Sequence, residues 1–273
     1  MSGTLEQIEF VEAPIGEVVL NNPGRLNAMD SQFFKRLGSI FETIRESRTV
    51  RVVLIRANGR AFSIGLDKEQ SLNLIPPAQP GDAPAKRVRM LHETIRRFQT
   101  AMLAVRNCPK PVVAAVNGFC LGGGLDLACA ADIRLCSVDV QFAVHETRIA
   151  MVADLGTLTW LPRIIGRGPA REMAFTGDPV GADLAKAYGL VNAVFSDRLQ
   201  LTDGARKFCA SIARNSPSVV AAVKELMDDG ERDPEARSLR QVALWNAGRF
   251  FSADLVEAHQ AATERRDPIW SDD

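Results

Sequence analysis

Residues 121–134 read LGGGLDLACAADIR, three consecutive glycines directly before a run with helical spacing, with Asp126 two positions after the last of them. Glycine disfavours a helix by about 1 kcal/mol against alanine, so the triplet needs a reason other than helix propensity. Upstream, KPVVAAVNG (110–118) is a β-branched apolar run that reads as a strand. A strand, a glycine loop and a helix start, in that order, let the backbone approach a ligand closely. They also turn N–H groups and the positive end of a helix dipole towards it.

A second loop has the same character. FSIGLD (62–67) follows the strand-like RVVLIRA (51–57) and precedes an expected helix. Two N–H groups from separate loops would make an oxyanion hole, each donor contributing roughly 3–4 kcal/mol as charge develops on a carbonyl oxygen. Neither loop fits GxxxxGK(S/T) or GxGxxG. Taken alone, GGG is equally explained by tight helix–strand packing.

Working outward, QIEFVE (7–12) and GEVVL (16–20) read as short strands, and Asp30 or Ser31 can cap the helix FFKRLGSIFETIRES (33–47). Four prolines mark 75–84 as a loop, and a long amphipathic helix is expected over 85–106. IRLCS (133–137) and QFAVHE (141–146) read as strands, followed by helices from about 155 and over 169–176 and 181–188, then the strand GLVNAVF (189–195). From about residue 203 the pattern is nearly all helical, with breaks at Pro217, at 229–234 and around Ser252. A recurring ββα rhythm before that point indicates an α/β core, taken as residues 1–200, with a helical oligomerisation or lid region over 201–273.

The 273 residues carry 33 Lys+Arg and 33 Asp+Glu, so no global field attracts nucleic acid. The five cysteines form no CxxC pair and mostly lie in apolar stretches, which suits buried free thiols in a reducing compartment. The N-terminus lacks a basic segment followed by an apolar one, and 111–131 is too interrupted to span a membrane. A soluble cytoplasmic protein is expected. No His/Cys/Asp cluster has metal-ligand spacing, so no metal is expected.

Three carboxylates draw attention. Asp126 follows the glycines, Glu146 closes QFAVHE, and Asp154 stands before LGTLTWLPRII (155–165), with the apolar IAMVA (149–153) in between. Two acids facing one dry pocket would have their proton affinities split by repulsion and desolvation, one serving as base and the other as acid. Plainer explanations compete. Asp154 reads as a helix N-cap, Asp126 as a favourable first-turn charge, and Glu146 as an ion pair with Arg148. His145, next to Glu146 on a strand, should point the other way, into core or interface. His92 and His259 read as solvent-facing, and Ser63 and Ser137 lack a histidine partner. Trp160, Phe98 and Met90 suit either an acyl tunnel or simple packing.

Together, LNNPGRLNAMD (20–30), FSIGLD, KPVVAAVNGFCLGGGLDLACAADIR (110–134) and DLGTLTWLPRIIGRGPAREMAFTG (154–177) resemble the enoyl-CoA hydratase/isomerase (crotonase) superfamily over about residues 5–265. The resemblance implies a spiral of ββα units with two roughly perpendicular sheets and a helical C-terminal region. It also implies homotrimers or homohexamers, an acyl-CoA thioester substrate, and no cofactor beyond the coenzyme A carried by that substrate. By position it places the hole donors on the backbone N–H of Leu66 and Gly123, and CoA contacts along Ser63, Gly65, Leu66 and Asp67. Arg25 sits where a basic residue near the CoA phosphates is common, though a solvated loop arginine explains it equally well.

Hydratases of this family carry glutamates at the positions of Asp126 and Glu146, and typically glycine where Asp154 stands. The Asp126–Glu146–Asp154 set, with ADLGTL (153–158) and WNAGRF (245–250), resembles the Δ3,5-Δ2,4-dienoyl-CoA isomerase subgroup. That implies Glu146 as base at C2 and Asp154 as acid at C6. The alternatives are a 2-enoyl-CoA hydratase, a Δ3-Δ2-enoyl-CoA isomerase, or a non-catalytic acyl-CoA-binding relative.

Overall fold

Parallel strands cannot be joined by a tight turn, so each pair needs a crossover, usually a helix. The chain meets this need by repeating one unit. Strand β1 (Ile8–Val11) pairs antiparallel with β2 (Ile15–Leu20), and helix α1 (Ser31–Glu46) follows. Then come β3 (Val52–Ala57), β4 (Ala61–Ser63) and α2 (Pro84–Arg106); β5 (Val112–Val116), β6 (Phe119–Leu121) and α3 (Gly123–Ala130); β7 (Ile133–Ser137), β8 (Gln141–Ala143) and α4 (Thr157–Ile165). The chain continues through α5 (Arg167–Thr176), β9 (Val180–Gly181), α6 (Ala182–Ala187), β10 (Ala193–Phe195), α7 (Arg198–Ala213), α8 (Pro217–Asp229) and α9 (Ala253–Glu264). This computed structural model describes residues 7–67, 84–229 and 252–266, with five positions between 243 and 250. Of the proline-rich loop expected at 75–84, residues 75–83 lie outside the described residues and Pro84 opens α2.

From β3 to β8, successive strands alternate between two sheets. The larger has the order β1-β2-β3-β5-β7-β10 and the smaller β4-β6-β8-β9. Over that stretch each ββα turn adds one strand to each sheet, parallel to its predecessor. This is the α/β spiral that the sequence leads one to expect.

The middle strands of the large sheet are buried on both faces, which is why they read as continuous apolar runs. Val53, Ile55, Val112, Ala114 and Val116 join the main core with α1 and α2. Their neighbours Val52, Leu54, Val113, Ala115 and Leu135 pack instead against Leu201, Ala205 and Cys209 of α7. The helical run begins at Arg198 rather than about 203, because the Asp197 carboxylate accepts from Gln200 N at 2.8 Å and caps α7. Position 200 thus lies within a helix that covers the sheet. At the front, Asp30 is the cap of α1, accepting from Phe33 N at 2.8 Å.

All five cysteines are buried and free, and desolvation pushes the thiols of Cys120, Cys129 and Cys209 up. Among the described residues, no helix is long and apolar enough to cross a membrane. Leu54 is fully buried on the face remote from the glycine loops. Leu54→Ala should lower unfolding free energy by about 2–5 kcal/mol in urea titration, without altering turnover per folded molecule.

Candidate active site

The small sheet places the two glycine loops side by side. β4 and β6 pair in parallel, Ala61 with Phe119 and Ser63 with Cys120, the register shifting between the two pairs. Beyond their ends the loops come closer than a side chain would allow. A Cβ on Gly65 would lie 2.9 Å from both Gly123 N and Leu121 O, and one on Gly124 would lie 2.6 Å from Ser63 O. Gly122 has φ +51°, and a Cβ there would meet Glu146 Oε1 at 3.0 Å. The triplet is thereby accounted for: it admits the Ser63–Leu66 loop on one side and the Glu146 carboxyl on the other.

The loop N–H groups are sorted by their bonds. Ser63 Oγ donates to Asn27 O at 2.7 Å and accepts from Gly65 N at 3.1 Å. Met29 N donates to Gly65 O and Asp67 N to Met29 O, at 2.8 and 2.9 Å, so Leu66 faces away from that bridge. Gly123 is the first residue of α3, where an N–H has no intrahelical acceptor. Leu66 N–H and Gly123 N–H have no acceptor among the described residues, and both residues line a cavity of about 1110 Å³, its mouth included.

Glu146 and Asp154 line the same cavity, and Leu91, Ile95, Phe98, Met151 and Leu255 supply apolar walls. Glu146 does not close a strand. β8 ends at Ala143, whose carbonyl accepts from Gly122 N at 3.1 Å, and Glu146 opens a single 3₁₀ turn, Glu146–Ile149. His145 has helical dihedrals (φ −83°, ψ −15°), so strand alternation does not apply, and it lines the cavity beside Glu146. The alternative partner for Glu146 is excluded too, because Arg148 is engaged with Asp178.

Asp154 is not a helix cap. Helix α4 starts at Thr157 after Gly156, and its first N–H donates to Asp126 Oδ1 at 2.6 Å. The capping carboxylate thus comes from a residue distant in sequence. Asp126 is 1% exposed, lies beneath the cavity rather than on its wall, and its Oδ2 has no hydrogen-bond partner among the described residues. Burial raises its affinity for a proton, to a pKa of about 7; the Thr157 bond opposes the rise and Asp154 adds to it. Glu146 is pushed up to about 8, first by burial, then by Asp126 and Asp154, while backbone hydrogen bonds oppose. The two carboxyls titrate as an interacting pair.

Gly65, also expected to contact coenzyme A, lines the cavity. Asp67 is buried and forms an ion pair with Arg25 at 3.0 Å; neither lines the cavity, nor does Ser63. Of the two histidines read as solvent-facing, His259 on α9 reaches the cavity wall and His92 has a buried Nε2. Local sequence could not show this, since the covering elements are far apart in the chain. Phe98 lines the cavity; Trp160 packs beneath Gly156 instead, and half-buried Met90 stays off the wall. Ser137 donates to Asp139, with no histidine. Among the described residues no cluster of His, Cys, Asp or Glu could hold a metal ion.

A spiral of ββα turns whose two glycine loops border a carboxyl-lined apolar cavity is an α/β fold of the crotonase class. Residues 11–273 match the family model "Enoyl-CoA hydratase/isomerase", and the chain belongs to that family of enzymes. It is 38% identical over 259 residues to a mitochondrial Delta(3,5)-Delta(2,4)-dienoyl-CoA isomerase of Dictyostelium discoideum, covering 94% of this chain and 87% of that one. It is 37% identical to the Homo sapiens protein of the same name, covering 92% and 76%. In fold it is similar to an enoyl-CoA hydratase from Mycobacterium avium subsp. paratuberculosis, with TM-score 0.84, 24% identity, and coverage of 98% and 100%.

The raised carboxyls have a stability consequence. Both bind protons more tightly folded than unfolded, so stability is fully present below the ordinary carboxylate range and falls as pH rises from about 4.5 towards 8. Glu146→Gln removes one charge from the pair. At pH 8 it should raise unfolding free energy by at least about 1.4 kcal/mol, the equivalent of a tenfold change in proton affinity. At pH 4.5 the gain should vanish, as denaturant titrations at the two pH values will show.

Proposed function

We propose that this chain converts 3,5-dienoyl-CoA thioesters to 2,4-dienoyl-CoA thioesters. The observation that carries the reading is the distribution of the acids. Glu146 and Asp154 both face the cavity, while Asp126 is drawn beneath it by the N-terminus of α4. Hydration needs two acids around one water, and Asp126, at one of the two hydratase positions, is engaged elsewhere. A shift along a conjugated chain needs two acids at separated carbons. The names of the similar Dictyostelium and human proteins support the same choice.

In this reading the thioester oxygen accepts from Leu66 N–H and Gly123 N–H. The Glu146 carboxylate takes a proton from C2, and the electron pair enters a trienolate delocalised from the thioester oxygen to C6. Protonated Asp154 gives its proton to C6, leaving double bonds at C2–C3 and C4–C5. To reset, a proton must return from Glu146 to Asp154. Asp126 interacts electrostatically with both, so its charge bears on that return. The apolar wall from α2 suits an acyl tail, and no group outside the chain and its substrate is required. A homotrimer or homohexamer is part of the same proposal, supported by Val219, Val223 and Met227, exposed at one-turn spacing along α8.

Incubation with 3,5-octadienoyl-CoA should give the red-shifted absorbance of the conjugated 2,4-diene, and crotonyl-CoA should not be hydrated at a comparable rate. Hydration without diene conversion would select the hydratase alternative. Glu146→Gln should lower kcat by about 10²–10⁴-fold while CoA-thioester affinity persists. Because the base must be ionised, kcat/KM should climb with pH through the 7–8 region where the Asp126–Glu146 pair titrates, and a profile flat from pH 6 to 9 would remove Glu146 from that role.

A further inference from the structure

Helix α2 buries two polar residues among its apolar ones, Thr94 and Gln99, and Gln99 is the more deeply buried. Leu91, Ile95 and Phe98 line the cavity, and Gln99, one turn beyond Ile95, is 0% exposed. A buried amide is costly unless both its ends are hydrogen-bonded. Gln99 Nε2 donates to the backbone carbonyl of Asp154 at 2.6 Å, and its Oε1 accepts from Arg96 Nη1 at 3.1 Å. Both partners demand the same amide orientation, because a carbonyl can only accept and a guanidinium can only donate.

The tie meets the chain where regular structure is missing. After Ala150, in the left-handed region at φ +56°, residues 151–154 adopt no helix or strand before α4 begins at Thr157. Neighbouring Ala153 and Leu155 are packed in the core, but apolar packing is non-directional and does not set the rotation of the peptide between them. A hydrogen bond to the Asp154 carbonyl does. We infer that Gln99 is a positioning residue: through the Asp154 main chain it fixes the direction in which the Asp154 carboxyl enters the cavity, with Arg96 orienting its amide. This rests on the isomerase reading for its kinetic form. The geometric form, ordering of residues 151–156, stands independently.

The test separates the two proton transfers. In D2O with 3,5-octadienoyl-CoA, deuterium entry at C2 reports on Glu146, and 2,4-diene formation reports also on the acid at C6. Gln99→Leu should lower kcat for the diene at least about tenfold with KM changed by less than about twofold, while C2 exchange continues near the wild-type rate. Arg96→Leu, at a partly exposed position, should act in the same direction more weakly. Gln99→Leu combined with Asp154→Asn should be no slower than Asp154→Asn alone. Amide hydrogen exchange of residues 151–156 should quicken in Gln99→Leu while α4 and β8 keep their protection. Unchanged kcat, a proportional loss of C2 exchange in both variants, or unaltered protection of 151–156 would overturn the inference. A wild-type chain inactive on the diene would instead refute the reaction reading, and the exchange measurement would still decide the role of Gln99.

Discussion

The site depends on a main-chain contact too close for any side chain. Gly65 lies against the Gly123 amide, and Gly124 against the Ser63 carbonyl, at separations that a Cβ would violate. The small sheet makes this approach possible by pairing β4 and β6 in parallel, so that both chains leave the sheet at the same end. Hydrogen bonds from Ser63 and across the Met29–Leu66 bridge then use the neighbouring polar groups. On the cavity wall this leaves Leu66 N–H and Gly123 N–H without an acceptor among the described residues. Donors fixed in this way need no reorganisation when negative charge arrives, which is the condition under which they contribute most.

The same packing brings carboxyls into a dry interior, where ionisation is expensive. The N-terminus of α4 partly offsets this for Asp126, by a hydrogen bond to its Oδ1 and by the helix dipole. Glu146 has no such cap, and Arg148 is turned to Asp178. Burial raises the proton affinity of both carboxyls. A carboxylate kept without a counter-ion is destabilising to the fold and a better base, a compromise common at functional sites.

Much of this was legible in the chain. The ββα rhythm, the buried strands of the large sheet, and the two glycine loops follow from local pattern. What was not legible depended on contacts between distant segments. Asp154 has the residue type and position of an N-cap, yet Asp126 performs that task across 31 residues. His145 seemed fixed by strand alternation, but β8 ends early because Ala143 bonds to Gly122, and the backbone turns helical. His259 reaches the cavity only because α9 folds back over the 3₁₀ turn that bears Glu146. Gln99 did leave a trace, a polar residue on an apolar helix face, but its partner is a main-chain carbonyl that no side-chain pattern reveals.

Charge conservation within the cavity links these features to the proposed chemistry. When Glu146 takes a proton from carbon, its own negative charge disappears and one appears on the enolate. The apolar pocket therefore relocates a charge rather than acquiring one, so the desolvation already imposed on Glu146 is released as the reaction proceeds. The charge moves towards Leu66 N–H and Gly123 N–H, beside which the Glu146 carboxyl is held over Gly122. A conjugated tail lets that charge spread along the wall bearing Asp154, where a fixed acid completes the transfer. The apolar 149–153 segment keeps the two carboxyls on one cavity while letting hydrocarbon, rather than water, fill the space between them. Protonation at the far carbon is favoured there for want of a competing solvent donor.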